Sequence, residues 1–129
     1  MNRPESQDAV AVAAQTMIEA GCLFHSRGWV PATGGNFSAR LSTNQMLITA
    51  SGGHKGELTP NHFLIAGLDG KPLDAARKTS YETLLHTQLY LHDAAIGAVL
   101  HTHSIANTVL SRRLNAVRLA GYELLKQLP

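Results

Sequence analysis

His101-Thr102-His103 carries two imidazoles at positions i and i+2. On an extended segment those positions share a face, so both rings can converge on one cation. Neutral imidazole is a good zinc ligand, and catalytic zinc takes three protein donors plus an open position for water or substrate. The competing reading is two solvated histidines at a strand end, because the pair alone supplies too few ligands. His25, His54, His62, His86 and His92 are further candidates by residue type, and nothing in their spacing selects one.

Two glycine-containing segments suit an anion: Thr33-Gly34-Gly35-Asn36 and Ala50-Ser51-Gly52-Gly53-His54-Lys55-Gly56. Glycine lets the backbone approach an anion closely, hydroxyls and amides donate to it, and Lys55 adds positive charge. Neither segment matches a Walker or dinucleotide fingerprint, and ordinary turn chemistry accounts for each taken alone. In Thr79-Ser80-Tyr81-Glu82, Thr79 and Glu82 have the spacing of a capping box that opens a helix. Ser80 and the amides at such a helix start can also hold a phosphate. Glu82 therefore has a structural reading and a catalytic one. Glu123, seen alone, reads as a solvated charge on a short helix.

The elements that must position these groups follow from periodicity. From Ala9 to about Arg27, Val10, Ala13, Met17, Ala20 and Phe24 recur at three or four residues, which predicts a helix stopped by Gly28. Trp29, the sole tryptophan, is expected at the core edge just beyond it. Phe37–Leu41 and Met46–Ile48 alternate around a polar turn and predict a β-hairpin. Leu64–Leu68 predicts a strand closed by Asp69-Gly70. Thr79–Leu91 predicts a helix with Leu84, Leu85, Leu89 and Tyr90 as its apolar face. Ile96–Thr102 predicts a buried strand, Ser104–Arg113 a helix, Val117–Leu119 a short strand, and Tyr122 the start of a last helix. The order is mixed α/β of the α+β kind, with a mainly antiparallel central sheet and helices packed on it.

A chain of 129 residues suggests one domain able to bury roughly two-thirds of its unfolded surface. The net charge of +2 comes from 11 Lys/Arg and 9 Asp/Glu, scattered without a basic stripe, so no nucleic-acid partner is expected. One cysteine, Cys22, excludes an intrachain disulfide framework and points to a reducing cytoplasm. Met1–Asp8 is polar and unlike a secretory signal. The uncharged stretch from Ala94 to Ser111 has His101, Thr102, His103, Ser104 and Asn107 in its interior, which excludes a membrane span.

Gly34-Gly35-Asn36-Phe37-Ser38-Ala39-Arg40, Leu47-Ile48-Thr49-Ala50-Ser51-Gly52, Ser80-Tyr81-Glu82 and Val99-Leu100-His101-Thr102-His103-Ser104, in this order and at these separations, resemble the class II aldolase/adducin family. Arg27–Thr33, Ser51–Gly56, Glu82–Tyr90, Ala95–Ser104 and Gly121-Tyr122-Glu123-Leu124 extend the likeness over nearly the whole chain. They resemble the branch of zinc lyases that dehydrate a ketose 1-phosphate in methionine salvage. The resemblance implies a class II aldolase-like fold, one Zn2+ per subunit held by His101 and His103, and a sugar-phosphate substrate. It implies that Asn36, Ser51, Gly52 and Ser80 hold the phosphate. It places Glu82 on the acid/base glutamate of the sugar-phosphate aldolases, and Glu123 on a catalytic glutamate of the dehydratases. It also implies a homo-oligomer, generally a tetramer, with sites at subunit boundaries.

Three departures stand out. Tyr81 replaces a small residue and could crowd the phosphate, and Gly34-Gly35 replaces more hydroxyl-rich residues. Family members also continue beyond the point corresponding to Pro129, into a Gly-His-Gly segment with a third zinc histidine. Residues 1–129 are thus expected to be the N-terminal, incomplete part of such a domain, truncated at the C-terminus. Two other functions share these residues: a zinc aldolase or epimerase for another sugar phosphate, and a non-catalytic binding module or inactive remnant of the family.

Overall fold

The computed structural model describes residues 7–118 and 120–121. Along the chain run α1 (Gln7–Ser26), β1 (Asn36–Arg40), β2 (Gln45–Thr49), short 3-10 turns at Lys55–Glu57 and Pro60–His62, β3 (Phe63–Gly67), α2 (Thr83–His92), β4 (Ala98–His101) and α3 (Ile105–Arg113). The strands form one sheet in the order β3-β2-β1-β4. Every pairing is antiparallel, as the hairpin and the strand alternation predict.

Alternation along the strands divides the core in two. Phe37, Leu47 and Phe63 point to one face and meet Ala14 and Met17 of α1, with Val30 and Leu58 closing the cluster. Met46, Ile48, Leu64 and Ala66 point to the other face and pack with Leu68 and Tyr90 of α2. Each fully buried side chain of this size contributes about 1.5–3 kcal/mol of hydrophobic stabilisation. Helix α1 ends at Ser26, and Gly28 just beyond it has a φ of 71°, the left-handed geometry expected of the stop. Trp29 lies against Phe24 with ring centroids 5.6 Å apart and stays 38% exposed, at the core edge.

Four expectations need correction. Helix α2 begins at Thr83, four residues after the expected start at Thr79, and Glu82 makes no capping bond with its side chain. Thr79 is instead drawn into a bridge with Ala50, and its hydroxyl donates to the Gly70 carbonyl. The Ser80 hydroxyl takes the Glu82 backbone N–H, so the Glu82 carboxylate is left for other work. Second, Leu84, Leu85 and Leu89 face outward at 59%, 52% and 43% exposure. The buried side of α2 is Thr83, His86, Thr87 and Tyr90, because it packs on the polar residues Asn36 and Ser38 of β1.

Third, β4 starts at Ala98 rather than Ile96 and is partly exposed throughout rather than buried. Fourth, Val117 and Arg118 are not in a strand. Leu119, the segment from Tyr122 and Glu123 lie outside the described residues. Helix α3 follows β4 as expected, with Ser104 as N-cap accepting from the Asn107 backbone N–H. None of its residues is buried. Among the described residues no helix is long and apolar enough to cross a membrane.

Candidate functional site

Strand register sets the first contact. Asn36 at the start of β1 stands opposite His101 at the end of β4. The close approach depends on Gly35, at φ 79°, where a Cβ would lie 2.6 Å from the His101 carbonyl oxygen. His103 sits just past the strand, tied by its backbone N–H to the Trp29 carbonyl at 2.7 Å. Its ring lies against Gly34, and the two imidazole centroids are 4.6 Å apart. The i, i+2 spacing therefore does bring both rings together, although the strand ends at the first of them.

Glu82 reaches the same point from the turn before α2. One carboxylate oxygen lies 3.2 Å from His101 Nδ1 and the other 3.9 Å from His103 Nε2. Glu82, His101 and His103 offer ligand atoms all within 4.8 Å of one another, the one such group among the described residues. His103 Nε2 is buried and has no hydrogen-bond partner. Such an atom costs about 1–3 kcal/mol when left unsatisfied, and a cation between the rings and the carboxylate would satisfy it. Two imidazole nitrogens and one carboxylate oxygen are a donor set that suits a divalent transition metal.

The histidines that spacing could not choose between are placed as follows. His25 and His54 pack against each other, 4.6 Å between centroids. His62 Nδ1 accepts the Thr59 backbone N–H. His92 is exposed at the end of α2. His86 is fully buried, with both ring nitrogens already engaged.

His86 belongs to a buried chain that the sequence reading missed. The Tyr90 hydroxyl lies 2.8 Å from Ser38 Oγ, and Ser38 Oγ lies 2.6 Å from His86 Nδ1. His86 Nε2 meets the Asn36 side-chain oxygen. The Asn36 side-chain nitrogen donates to a Glu82 carboxylate oxygen and to Ser80 Oγ. Since the carboxylate accepts, the Asn36 nitrogen must face it, and its oxygen must then accept from His86 Nε2–H. His86 Nδ1 is left to accept from the Ser38 hydroxyl, which accepts from Tyr90.

Burial keeps the members of this chain uncharged. It lowers the His86 pKa to about 4, helped by the neighbouring His101 charge and opposed by Glu82. It raises that of Tyr90, against the Ser38 hydrogen bond and the Arg40 charge. A signal was present in the sequence: Glu82, His86 and Tyr90 recur every four residues, and Asn36 and Ser38 are two apart, so each set shares a face.

The anion-binding candidates are only partly gathered. The bridge between Ala50 and Thr79 brings the Ser51-Gly52 turn beside Ser80. Gly52 has a φ of 86°, and both Ser51 and Gly52 are exposed. Ser51 and Tyr81 border one depression of about 370 Å3, together with Arg77, Lys78 and Thr79. Tyr81 is fully solvent-exposed. Lys55 does not present its charge to that surface. It is 2% exposed, and its ammonium donates inward to the carbonyls of Thr33 at 3.1 Å and Gly53 at 2.7 Å, tying the two glycine segments together. Burial lowers its pKa, and the Glu82 charge opposes that shift.

Residues 15–128 match the Class II Aldolase and Adducin N-terminal domain. Methylthioribulose-1-phosphate dehydratase of Gluconobacter oxydans is 54% identical over 116 residues, which are 88% of this chain and 56% of that protein. The enzyme of the same name from Pseudomonas syringae pv. tomato is 54% identical over 99 residues, 77% of this chain and 48% of the relative. Among solved structures, L-fuculose-1-phosphate aldolase of Thermus thermophilus superposes with a TM-score of 0.72 at 31% identity, covering 88% of this chain and 57% of that one. The chain thus spans about half the length of the curated relatives it matches.

Proposed function

Because the chain belongs to the class II aldolase and adducin family, we propose that it carries the metal and phosphate half of a zinc-dependent lyase. The substrate is 5-methylthioribulose 1-phosphate and the product 2,3-diketo-5-methylthiopentyl 1-phosphate, a step of methionine salvage. The observation that carries the reading is the convergence of Glu82 on His101 and His103 beside an unpartnered His103 nitrogen. The dehydratase name shared by relatives at 54% identity supports the substrate.

His101, His103 and Glu82 would hold zinc, which when bound would supply a Lewis acid for the C2 carbonyl oxygen and so acidify the proton on C3. The residues of the chain do the rest. Ser51, Gly52 and Ser80 hold the phosphate, through two hydroxyls and a backbone amide. Asn36, the fourth residue of the expected phosphate set, acts there through its hydrogen bond to Ser80, because its carboxamide is engaged by Ser80, Glu82 and His86. Glu123 is the base that takes the C3 proton. Glu82, whose carboxylate Asn36 orients, is the acid for the departing C4 hydroxyl once a substrate oxygen takes its place at the metal. One hydrogen from C3 and the hydroxyl from C4 leave as water, and the resulting enol rearranges to the diketone. The exposed side chains of Leu84, Leu85, Leu89 and Leu100 support assembly into a homo-oligomer.

The likeness to an L-fuculose-1-phosphate aldolase favours a second reading, in which the same groups break the C3–C4 bond of another sugar phosphate. Incubating the zinc-loaded protein with methylthioribulose 1-phosphate, with a full-length relative as positive control, separates the two. Appearance of the diketone supports dehydration. Aldehyde release without loss of water overturns it in favour of the aldolase. A chain that holds no zinc favours the non-catalytic binding module or inactive remnant.

A further inference from the structure

We propose that His86 is a positioning residue for Glu82, which it controls without touching it by fixing the orientation of the Asn36 carboxamide. The inference rests on the metal reading above and extends it to a residue outside the metal-facing group.

Asn36 is the link. Its nitrogen faces the Glu82 carboxylate and its oxygen faces His86 Nε2. A carboxamide is nearly symmetric in shape, so packing alone does not choose between its two orientations. Turned over, it would set an oxygen against the carboxylate oxygen that stands 3.2 Å from His101, two acceptors with no proton between them. Glu82 would then be pushed off the imidazole pair. The His86 Nε2–H prevents the turn, since it can only donate and therefore demands the oxygen.

The hydroxyls deeper in the core support that tautomer. With Nε2 protonated, Nδ1 accepts from Ser38 Oγ at 2.6 Å, and Ser38 accepts in turn from Tyr90 at 2.8 Å. Ser38, His86 and Tyr90 are each no more than 2% exposed, so water does not offer an alternative donor. The polarity of the whole chain thus runs one way, from the α2–sheet core out to the carboxylate. Helical spacing places Glu82, His86 and Tyr90 on one side of α2, and strand spacing places Asn36 and Ser38 opposite them, so the two elements alternate as links.

A double-mutant cycle on zinc affinity tests this, with H86L and H86Q measured alone and H86L repeated in an E82Q background. Urea melts run alongside report fold stability. Removing a partner that orients a metal ligand weakens affinity about tenfold or more, and H86L is expected to do so. H86Q, whose amide nitrogen can still donate to Asn36, is expected to restore most of the loss. In the E82Q background H86L should change affinity by less than about twofold, the limit for sites that do not couple. If H86L does not fold, S38A, which releases the His86 tautomer and keeps the ring, takes its place in the cycle. Equal losses in both backgrounds, or no loss in the wild-type background, overturn the proposal while leaving the metal reading intact. A wild-type chain that binds no zinc overturns both.

Discussion

Glu82 Oε2 lies 3.2 Å from Nδ1 of His101, although the two residues come from different layers of the fold. Glu82 sits in the turn that opens α2, and His101 ends the edge strand β4. Asn36 lies between them, opposite His101 in the sheet and bonded to Glu82 by its side chain. An imidazole nitrogen facing a carboxylate at this range shares either a proton or a cation with it. The unpartnered nitrogen of His103, 3.9 Å from the other carboxylate oxygen, favours the cation.

Stability should depend on pH through His86. Its pKa is about 4 in the fold against 6.5 in the unfolded chain. Between those values the unfolded chain binds a proton that the folded one does not, so stability falls as pH drops from about 6.5 toward 4. Above 6.5 the His86 contribution is fully present and constant. The ceiling on the loss is roughly 3 kcal/mol. Urea melts of the protein without added metal, compared with H86Q, should show a shallower pH slope in the variant; equal slopes would remove His86 as the cause.

Tyr90→Phe removes the hydroxyl at the inner end of the buried chain, which meets Ser38 and the Val99 backbone. Ser38 Oγ loses a donor in a place water does not reach. A net cost of about 1 kcal/mol is expected, read as a lower urea midpoint with an unchanged slope. An unchanged midpoint would mean that the hydroxyl pair contributes nothing.

Gly35→Ala tests the approach of β1 to β4. The position combines a left-handed φ of 79° with a space in which a Cβ would stand 2.6 Å from a backbone oxygen. The φ alone costs about 1–2 kcal/mol for an alanine, and the clash adds to it by forcing the strands apart beside His101. The variant should therefore lose both stability and metal affinity, whereas Gly28→Ala, with a similar φ and open space around it, should lose stability alone.

Much of the frame was legible in the residues. The α1 periodicity, the hairpin and the i, i+2 imidazoles each rest on a local period that the fold respects. What was lost depended on partners distant in sequence. Thr79 and Glu82 have ideal capping spacing, yet the first is engaged by Ala50 and the second by Asn36 and His101, so the helix starts later. The leucines of α2 looked like its buried face because apolar residues usually are. The sheet instead presents Asn36 and Ser38 there, and the polar stripe of His86 and Tyr90 matches them. Lys55 was readable as a surface charge, and only the carbonyls of Thr33 and Gly53 show why it turns inward.

Calorimetric titration with zinc of the wild-type chain, H101A and H103A tests the central claim most directly, with circular dichroism confirming that each variant is folded. The account predicts one zinc per wild-type chain and a loss of affinity of at least about a hundredfold in either variant, more than the loss of an orienting partner would cause. Wild-type protein that takes up no zinc, or variants that bind it as tightly as the wild type, would contradict it.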